Sequence, residues 1–215
     1  MTKLGLLNWN LGRMEECSRL YQEALALARL ANLKREAQIC LTALEIFDLY
    51  TKGKEARSLG KYQQSIEILQ KAVALARGIQ SREHEVKCLR QMSVNYWEQN
   101  KFKEFFDLNT EAQKMAREIK HKREEGICYN NIWIYNWKIS NYSKSLKYIQ
   151  IYLEIAEKEN AAESKSQSLT NLTLLYIDLG NYDRALECLL LVLKIDKDIK
   201  NENYIYMDLN NLGII

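Results

Sequence analysis

The sequence predicts an all-α chain, a solenoid of antiparallel helix hairpins, and three observations carry that prediction. First, a short pattern recurs: LGNYDRALECLL at Leu179 to Leu190 is preceded at intervals of 40, 40, 40 and 48 residues by ISNYSKSLKYIQ, QNKFKEFFDLNT, LGKYQQSIEILQ and LGRMEECSRLYQ. Second, there is no proline and there are only eight glycines, which removes most of the punctuation that short strands need. Third, within each period the apolar residues fall three and four apart, twice over, as the buried stripes of two helices do.

The landmarks fix the units in order. The large residue after each turn is Met14, Tyr62, Phe102, Tyr142 and Tyr182, and a second series, Ala28, Ala76, Ala116, Ala156 and Asp196, keeps the same 48, 40, 40, 40 spacing. Two landmarks that share one irregularity define units of roughly 1–33, 34–81, 82–121, 122–161 and 162–201, with a partial unit at 202–215, in one array over 1–215. The unit at 34–81 carries eight extra residues within CLTALEIFDLYTKGKEARSLG, so its first helix is expected to be very long or broken near Gly53.

The unit at 162–201 is the most regular. Leu169, Leu172, Tyr176 and Leu179 form one stripe, and Tyr182, Ala185, Leu186, Leu189, Val192 and Leu193 form the next. Gly180 and Asn181 between them tolerate left-handed backbone and suit a tight turn after a helix end. Polar stretches such as KENAAESK are expected to join one hairpin to the next. A lone hairpin cannot cover its apolar face, whereas a stack of them can.

SLTNLTLLYIDLGNYDRALECLLLVLKID resembles a tetratricopeptide repeat: Leu172, the small Thr173, Tyr176, Gly180, Tyr182 and Ala185 fall on that family's signature positions, and LNNLG at Leu209 to Gly213 resembles the start of another unit. The resemblance covers essentially the whole chain and implies a right-handed superhelical solenoid of about 11 helices. The departures are a 40-residue unit in place of the family's usual period of about 34, the missing proline, Trp133 where a small residue is expected, and Asn136 where an aromatic is expected. Both termini cut a first helix in half, so the chain is expected to be a piece of a longer protein with Met1 as a start codon.

Composition narrows the function classes. A net charge of +3 from 31 Lys and Arg against 28 Asp and Glu is small and evenly spread, which argues against nucleic acid or an anionic membrane surface as partner. The apolar window LECLLLVLKI is far short of the roughly 20 residues a membrane span needs. Five cysteines without dense spacing read as small buried apolar residues of a protein in a reducing, cytoplasmic compartment. The two histidines, His84 and His121, read as exposed residues of inter-repeat connections with no metal-ligand partners, and no phosphate loop, nucleophile elbow or Cys-x-x-Cys pair is present. No enzyme, no cofactor and no metal is expected.

What remains is binding. First helices should line the concave face of the stack, a groove suited to an extended peptide or partner helix. Two neighbouring registers there read Gln91, Asn131, Asn171, Asn211 and Arg90, Asn130, Thr170, Asn210. An amide offers a donor and an acceptor together. The resemblance implies that Asn131, Asn171 and Asn211 contact a bound peptide's backbone or terminal carboxylate; the competing reading is that they are solvated or bond to the neighbouring repeat. A third register holds Trp9, Trp97 and Trp137, with Arg57 and Ile177 in the equivalent places, and reads either as groove lining or as packing between hairpins. Val94, Ile134 and Leu174 complete a wall of amide and aliphatic groups, poor in the Lys and Arg that an acidic-terminus clamp wants. The expected partner is thus a protein or peptide segment, with homo-oligomer formation through the end repeats and peptide-sensing regulation of an attached domain as the other readings.

Overall fold

The computed structural model describes residues 14–200. Nine helices lie among them: α1 (Met14–Leu30), α2 (Lys34–Ser58), α3 (Tyr62–Gly78), α4 (Arg82–Glu98), α5 (Phe102–Glu118), α6 (Lys122–Lys138), α7 (Tyr142–Lys158), α8 (Ala162–Asp178) and α9 (Tyr182–Asp198). The two further helices of the expected 11, together with Trp9, Asn210 and Asn211, lie outside the described residues. The eight extra residues are absorbed in α2, which runs unbroken through Gly53 for 25 residues while the other helices have 17.

A 20-residue helical rhythm underlies the 40-residue repeat. Gly60, Gln80, Asn100, Lys120, Ser140, Asn160, Gly180 and Lys200 all have positive φ, between 52° and 72° with Asn32 included. Each sits just past a helix end. There the amide three residues beyond the helix reaches back to the third-last helical carbonyl, as in Lys61 N to Ala56 O (2.9 Å), Ser81 N to Ala76 O (2.9 Å) and Asn181 N to Tyr176 O (2.8 Å). This closure satisfies carbonyls that the helix end leaves open. Turns inside hairpins and turns between them are therefore alike. KENAAESK is not a linker: only Glu159, Asn160 and Ala161 lie outside helices, and Ala162–Lys165 begins α8.

The chain divides into two units, Met1–Ile119 and Lys120–Ile215, with the boundary at a repeat junction. In the first, α1 to α5 pack in succession, and α2 also touches α4. Ile46 of α2 and Ile66, Leu69 and Ala72 of α3 are fully buried, each large aliphatic contributing roughly 1.5–3 kcal/mol. α2 and α3 approach closely at Gly53, where an added Cβ would come within 2.8 Å of Leu69 Cγ, and the Ser65 hydroxyl donates to the Gly53 carbonyl over 2.6 Å. In the second unit α6 to α9 likewise pack in succession. Trp133, Ile149, Leu169, Leu172, Leu175, Tyr176, Ala185 and Val192 form its core.

Trp133 and Asn136 resolve one another. In α8 the pair is small then large, Thr173 then Tyr176, and in α6 it is large then small. Trp133 is buried, its carbonyl accepts from the hydroxyl of Ser145 over 3.1 Å, and Asn136 is buried with its amide donating to the Ile132 carbonyl at 2.9 Å. The volume that an aromatic supplies at one position is supplied one turn earlier.

The histidines correct the sequence reading. His84 is in the first turn of α4, not in a connection, and is 2% exposed. Its Nδ1 shares a 2.5 Å hydrogen bond with Ser81 Oγ, and its Nε2 lies 3.4 Å from the Tyr21 hydroxyl of α1. Tyr21 of α1 lies against the ring, with centroids 6.1 Å apart, and helps to bury it. His121 is half-buried and caps α6, its Nδ1 accepting from the Glu124 amide at 3.4 Å.

Candidate functional site

The residues singled out in the sequence converge best in the second unit, on the face shared by its two first helices, α6 and α8. Both helices start from a left-handed residue 40 positions apart, Lys120 and Asn160, so equivalent residues lie side by side. The side-chain contacts, however, run on a 41-residue offset. Asn171 Nδ2 donates to Asn130 Oδ1 over 2.7 Å, and two turns further on the Trp137 indole N–H donates to the Asp178 carboxylate. One step of extra offset is the diagonal that two inclined helices present to each other.

Asn130 Oδ1 also accepts from the Trp133 indole at 3.3 Å, so its acceptor is engaged twice. The amide N–H groups of Asn130 and the Oδ1 of Asn171 carry no hydrogen bond among the described residues. Donors and an acceptor are thus left over at one half-buried pair, the complement of a peptide unit. Asn131, one step along the helix, is half-buried.

Between the two bridges lie aliphatic groups: Ile134 is half-buried and Leu174 is 41% exposed. Trp137 is 38% exposed, its ring 6.1 Å from that of Trp133. The face is therefore amide at one end, aliphatic in the middle and indole with carboxylate at the other. The distance from the Asn130 to the Trp137 position is about 10 Å along the helix, at 1.5 Å per residue, the length of some three extended residues.

In the first unit the equivalent residues behave differently. Gln91 is buried, and its Nε2 finds no hydrogen-bond partner, so it does not present an amide to solvent as expected. Trp97 is half-buried against the second helix of its own hairpin, its ring centroid 4.9 Å from both Phe102 and Phe105. The tryptophan register thus splits, with hairpin packing at Trp97 and surface at Trp137. Aromatic residues at both 102 and 105 capture the first; Tyr142 and Ser145 stand there in the second unit and leave the indole outside.

Asp178 and the diagonal pairing were not foreseen, and the signal was present: a carboxylate one residue beyond the register of Trp137 in the next unit. A second feature also went unforeseen. A cleft of about 570 Å³ opens between α3 and α5 over α4, floored by Val73, Leu89, Met92 and Leu108. At one end Arg77 bridges Glu85 of α4 (2.5 Å) and Glu111 of α5 (3.5 Å). This ion-pair set ties three helices together.

Cys17, Cys40, Cys88 and Cys128 are buried and Cys188 half-buried, all as free thiols. Burial pushes the Cys88 thiol up to about 12, so it is not a nucleophile at neutral pH. Among the described residues no three His, Cys, Asp or Glu side chains are grouped to hold a metal ion, and no helix is long and apolar enough to cross a membrane.

Comparison with known proteins agrees with the fold. The tetratricopeptide repeat family model matches residues 1–29, 49–78 and 166–199. No curated protein sequence matches the chain. Among solved structures, BtubC from P. vanneervenii superposes with a TM-score of 0.65 at 16% identity, over 92% of this chain and 78% of that one. A Rap protein complexed with competence and sporulation factor gives 0.71 at 15% identity, over 95% of this chain and 55% of that one. A signal transduction ATPase with numerous domains from Pyrococcus horikoshii, which has a tetratricopeptide repeat sensor, gives 0.69 at 16% identity, over 92% of this chain and 32% of that one. The chain thus spans about half of the Rap protein and a third of the ATPase.

Proposed function

We propose that this chain, which carries tetratricopeptide repeats, is a non-enzymatic binding module that holds an extended segment of another protein against its first helices. The observation that carries the reading is the Asn130–Asn171 pair, joined across two repeats with amide donors and a carbonyl acceptor left over. A peptide backbone needs both, and the exposed Leu174 and Trp137 beside them offer apolar contact for its side chains. Asn131 stands next to this pair, and Asn210 and Asn211 continue the two registers in sequence. Gln91 and Trp97, turned inward, contribute to the packing behind such a surface. The array winds, in this reading, as a right-handed superhelix with the first helices inside.

The electrostatics favour an uncharged stretch of peptide. Of the side chains named on this face only Asp178 carries a charge, and it is held by Trp137, so an acidic terminus finds no Lys or Arg among them. Nucleic acid fits this surface poorly for the same reason. Five free thiols suit a reducing cytoplasm.

A second reading, peptide sensing on behalf of an attached domain, is supported by two of the structures the fold matches, one a Rap protein complexed with competence and sporulation factor and one a signal transduction ATPase with numerous domains and a tetratricopeptide repeat sensor. It uses the same surface, and differs in the consequence of binding: the occupied groove would alter a neighbouring domain rather than simply tether a partner.

The test is retention of cellular proteins, and of extended peptides on an array, by the chain and by Asn130→Ala/Asn171→Ala, after circular dichroism establishes equal helicity. Peptides held by the first and released by the second support the module. Binding indifferent to both substitutions and to Trp137→Ala removes this face from consideration.

A further inference from the structure

The outer side of α9 differs from that of every other second helix. The positions eight and nine residues after the large landmark residue hold Gln22 and Glu23 in α1, Gln70 and Lys71 in α3, Thr110 and Glu111 in α5, and Gln150 and Ile151 in α7; all but the half-buried Ile151 are exposed. In α9 they hold Leu190 and Leu191, which are 55% and 52% exposed. Leu186, one turn before, is also exposed, where its counterparts Ile66, Phe106 and Leu146 are buried or half-buried. The buried side of α9 is Ala185, Leu189, Val192 and Asp196, which places the leucine pair on the opposite side of the helix.

A further repeat would not cover this pair. Gln70 is followed by a complete hairpin within its own unit, as is Gln150, and both stay exposed. The leucines therefore stand at a position that the array itself leaves open, and burying them on association is favourable.

The charges around the pair say what fits. Glu187 precedes Leu190 by three residues and Lys194 follows Leu191 by three, both exposed and both on the leucine face. A twofold axis perpendicular to α9, lying in the contact plane level with the midpoint of Leu190 and Leu191, sets an identical antiparallel helix against this one so that Leu190 meets Leu191, and Glu187 meets Lys194, twice. Further out, Asp183 lies diagonal to Lys197 of the second copy and Arg184 diagonal to its Asp198. The like-charged pairs in direct register, Asp183 with Asp198 and Arg184 with Lys197, are about 10 Å or more along the axis from the dyad, where crossing helices diverge.

We infer that the α9 face formed by Leu186, Glu187, Leu190, Leu191 and Lys194 is a self-complementary surface on which a second copy of this chain docks antiparallel, making an isologous dimer. It is separate from the α6 and α8 face, so peptide binding and dimerisation are independent. A contact built mainly from one helix of each copy is at the small end of specific interfaces, so dissociation in the order of micromolar is expected. Two copies present two peptide-holding faces, and a partner with two segments gains avidity.

Sedimentation of the full chain over a concentration series, without peptide, tests the inference. The expected result is a reversible monomer–dimer equilibrium. Leu190→Gln/Leu191→Lys, which restores the residues of α3, sediments as a monomer at every concentration with unchanged helicity and melting temperature. Glu187→Lys and Lys194→Glu each weaken the dimer about tenfold, and the two together recover it to within about threefold. The recovery is specific to this dyad, because only an antiparallel symmetric contact pairs those two residues with each other. A chain that stays monomeric at high concentration overturns the inference and assigns the patch to a different partner. Dimers that survive the leucine substitutions, or charge swaps that fail to rescue each other, overturn it equally. Asn130→Ala/Asn171→Ala should leave the dimer intact, which keeps this outcome separate from that of the peptide-binding reading.

Discussion

Asn171 of α8 donates its amide to Asn130 of α6 over 2.7 Å, one repeat and one residue away. The bond joins helices whose own hairpin partners, α7 and α9, lie elsewhere, so it registers one repeat against the next. It is half-buried, and a neutral amide pair of this kind is worth about 1 kcal/mol net. We therefore expect Asn130→Ala and Asn171→Ala each to lower unfolding stability by about 1 kcal/mol, and the double variant by less than the sum, with a coupling near 0.5–1 kcal/mol in a urea double-mutant cycle. Additive losses would mean the two amides act separately, and the donor and acceptor left over would lose the rigidity that the binding proposal relies on.

His84 makes stability depend on pH. Desolvation, with Lys87 nearby, holds its imidazolium pKa down to about 3 from 6.5. Glu83 and Glu85 flank it on its own helix, and Tyr21 faces it from α1, where burial raises the phenol so that it stays a neutral partner. Between pH 6.5 and 3 the unfolded chain binds a proton that the folded chain does not, so stability is lost as pH falls through that window. From pH 7 to pH 5 the loss should reach about 2 kcal/mol. His84→Gln should be less stable at neutral pH and should lack that share of the slope. An unchanged slope in chemical denaturation at the two pH values would show that the ring is solvated.

Glycine to alanine should have opposite signs at two helical positions. Gly53 faces Leu69 so closely that a methyl meets Cγ at 2.8 Å, and Leu69 has no exposed surface toward which to move. Gly78, in the last turn of α3, has nothing within 4 Å of the added carbon. Alanine's helical preference is worth about 1 kcal/mol. At Gly78 that gain should appear nearly whole as a higher melting temperature, and at Gly53 a packing strain of about 1–3 kcal/mol should overcome it. Equal shifts at both sites would mean that the α2–α3 crossing adjusts freely.

The repeat spacing and apolar stripes made the hairpins legible, because local periodicity and turn residues are written in adjacent positions. Even the long α2 was written as an eight-residue excess, though its continuity through Gly53 was not: whether glycine breaks a helix depends on a neighbour such as Leu69 that sequence does not place. The same limit applied to the site. Registers put Asn130 and Asn171 on neighbouring lines, yet their bond depends on the inclination of two helices. Trp97 and Trp137 share a register and differ in exposure because Phe105 stands where Ser145 does. His84 looked like a turn residue because its burial comes from Tyr21, 63 residues away.

Asp196 breaks a rule that the rest of the chain keeps. Its counterparts Ala28, Ala76, Ala116 and Ala156 are buried alanines, and Asp196 is equally buried, at 1% exposure. Both carboxylate oxygens lack a hydrogen-bond partner. Leaving a buried polar group unsatisfied costs about 1–3 kcal/mol and more when it is charged, while alanine at this position removes the cost, raises helical preference and matches the packing of four other repeats. We expect Asp196→Ala to raise unfolding free energy by about 1–3 kcal/mol, read as a higher urea midpoint with an unchanged slope. Asp196→Asn, which keeps the shape and the polar atoms but not the charge, should recover only part of that gain. Should alanine instead destabilise the chain, the carboxylate must be serving a partner in the folded protein, and the position would move from a packing defect to a binding residue.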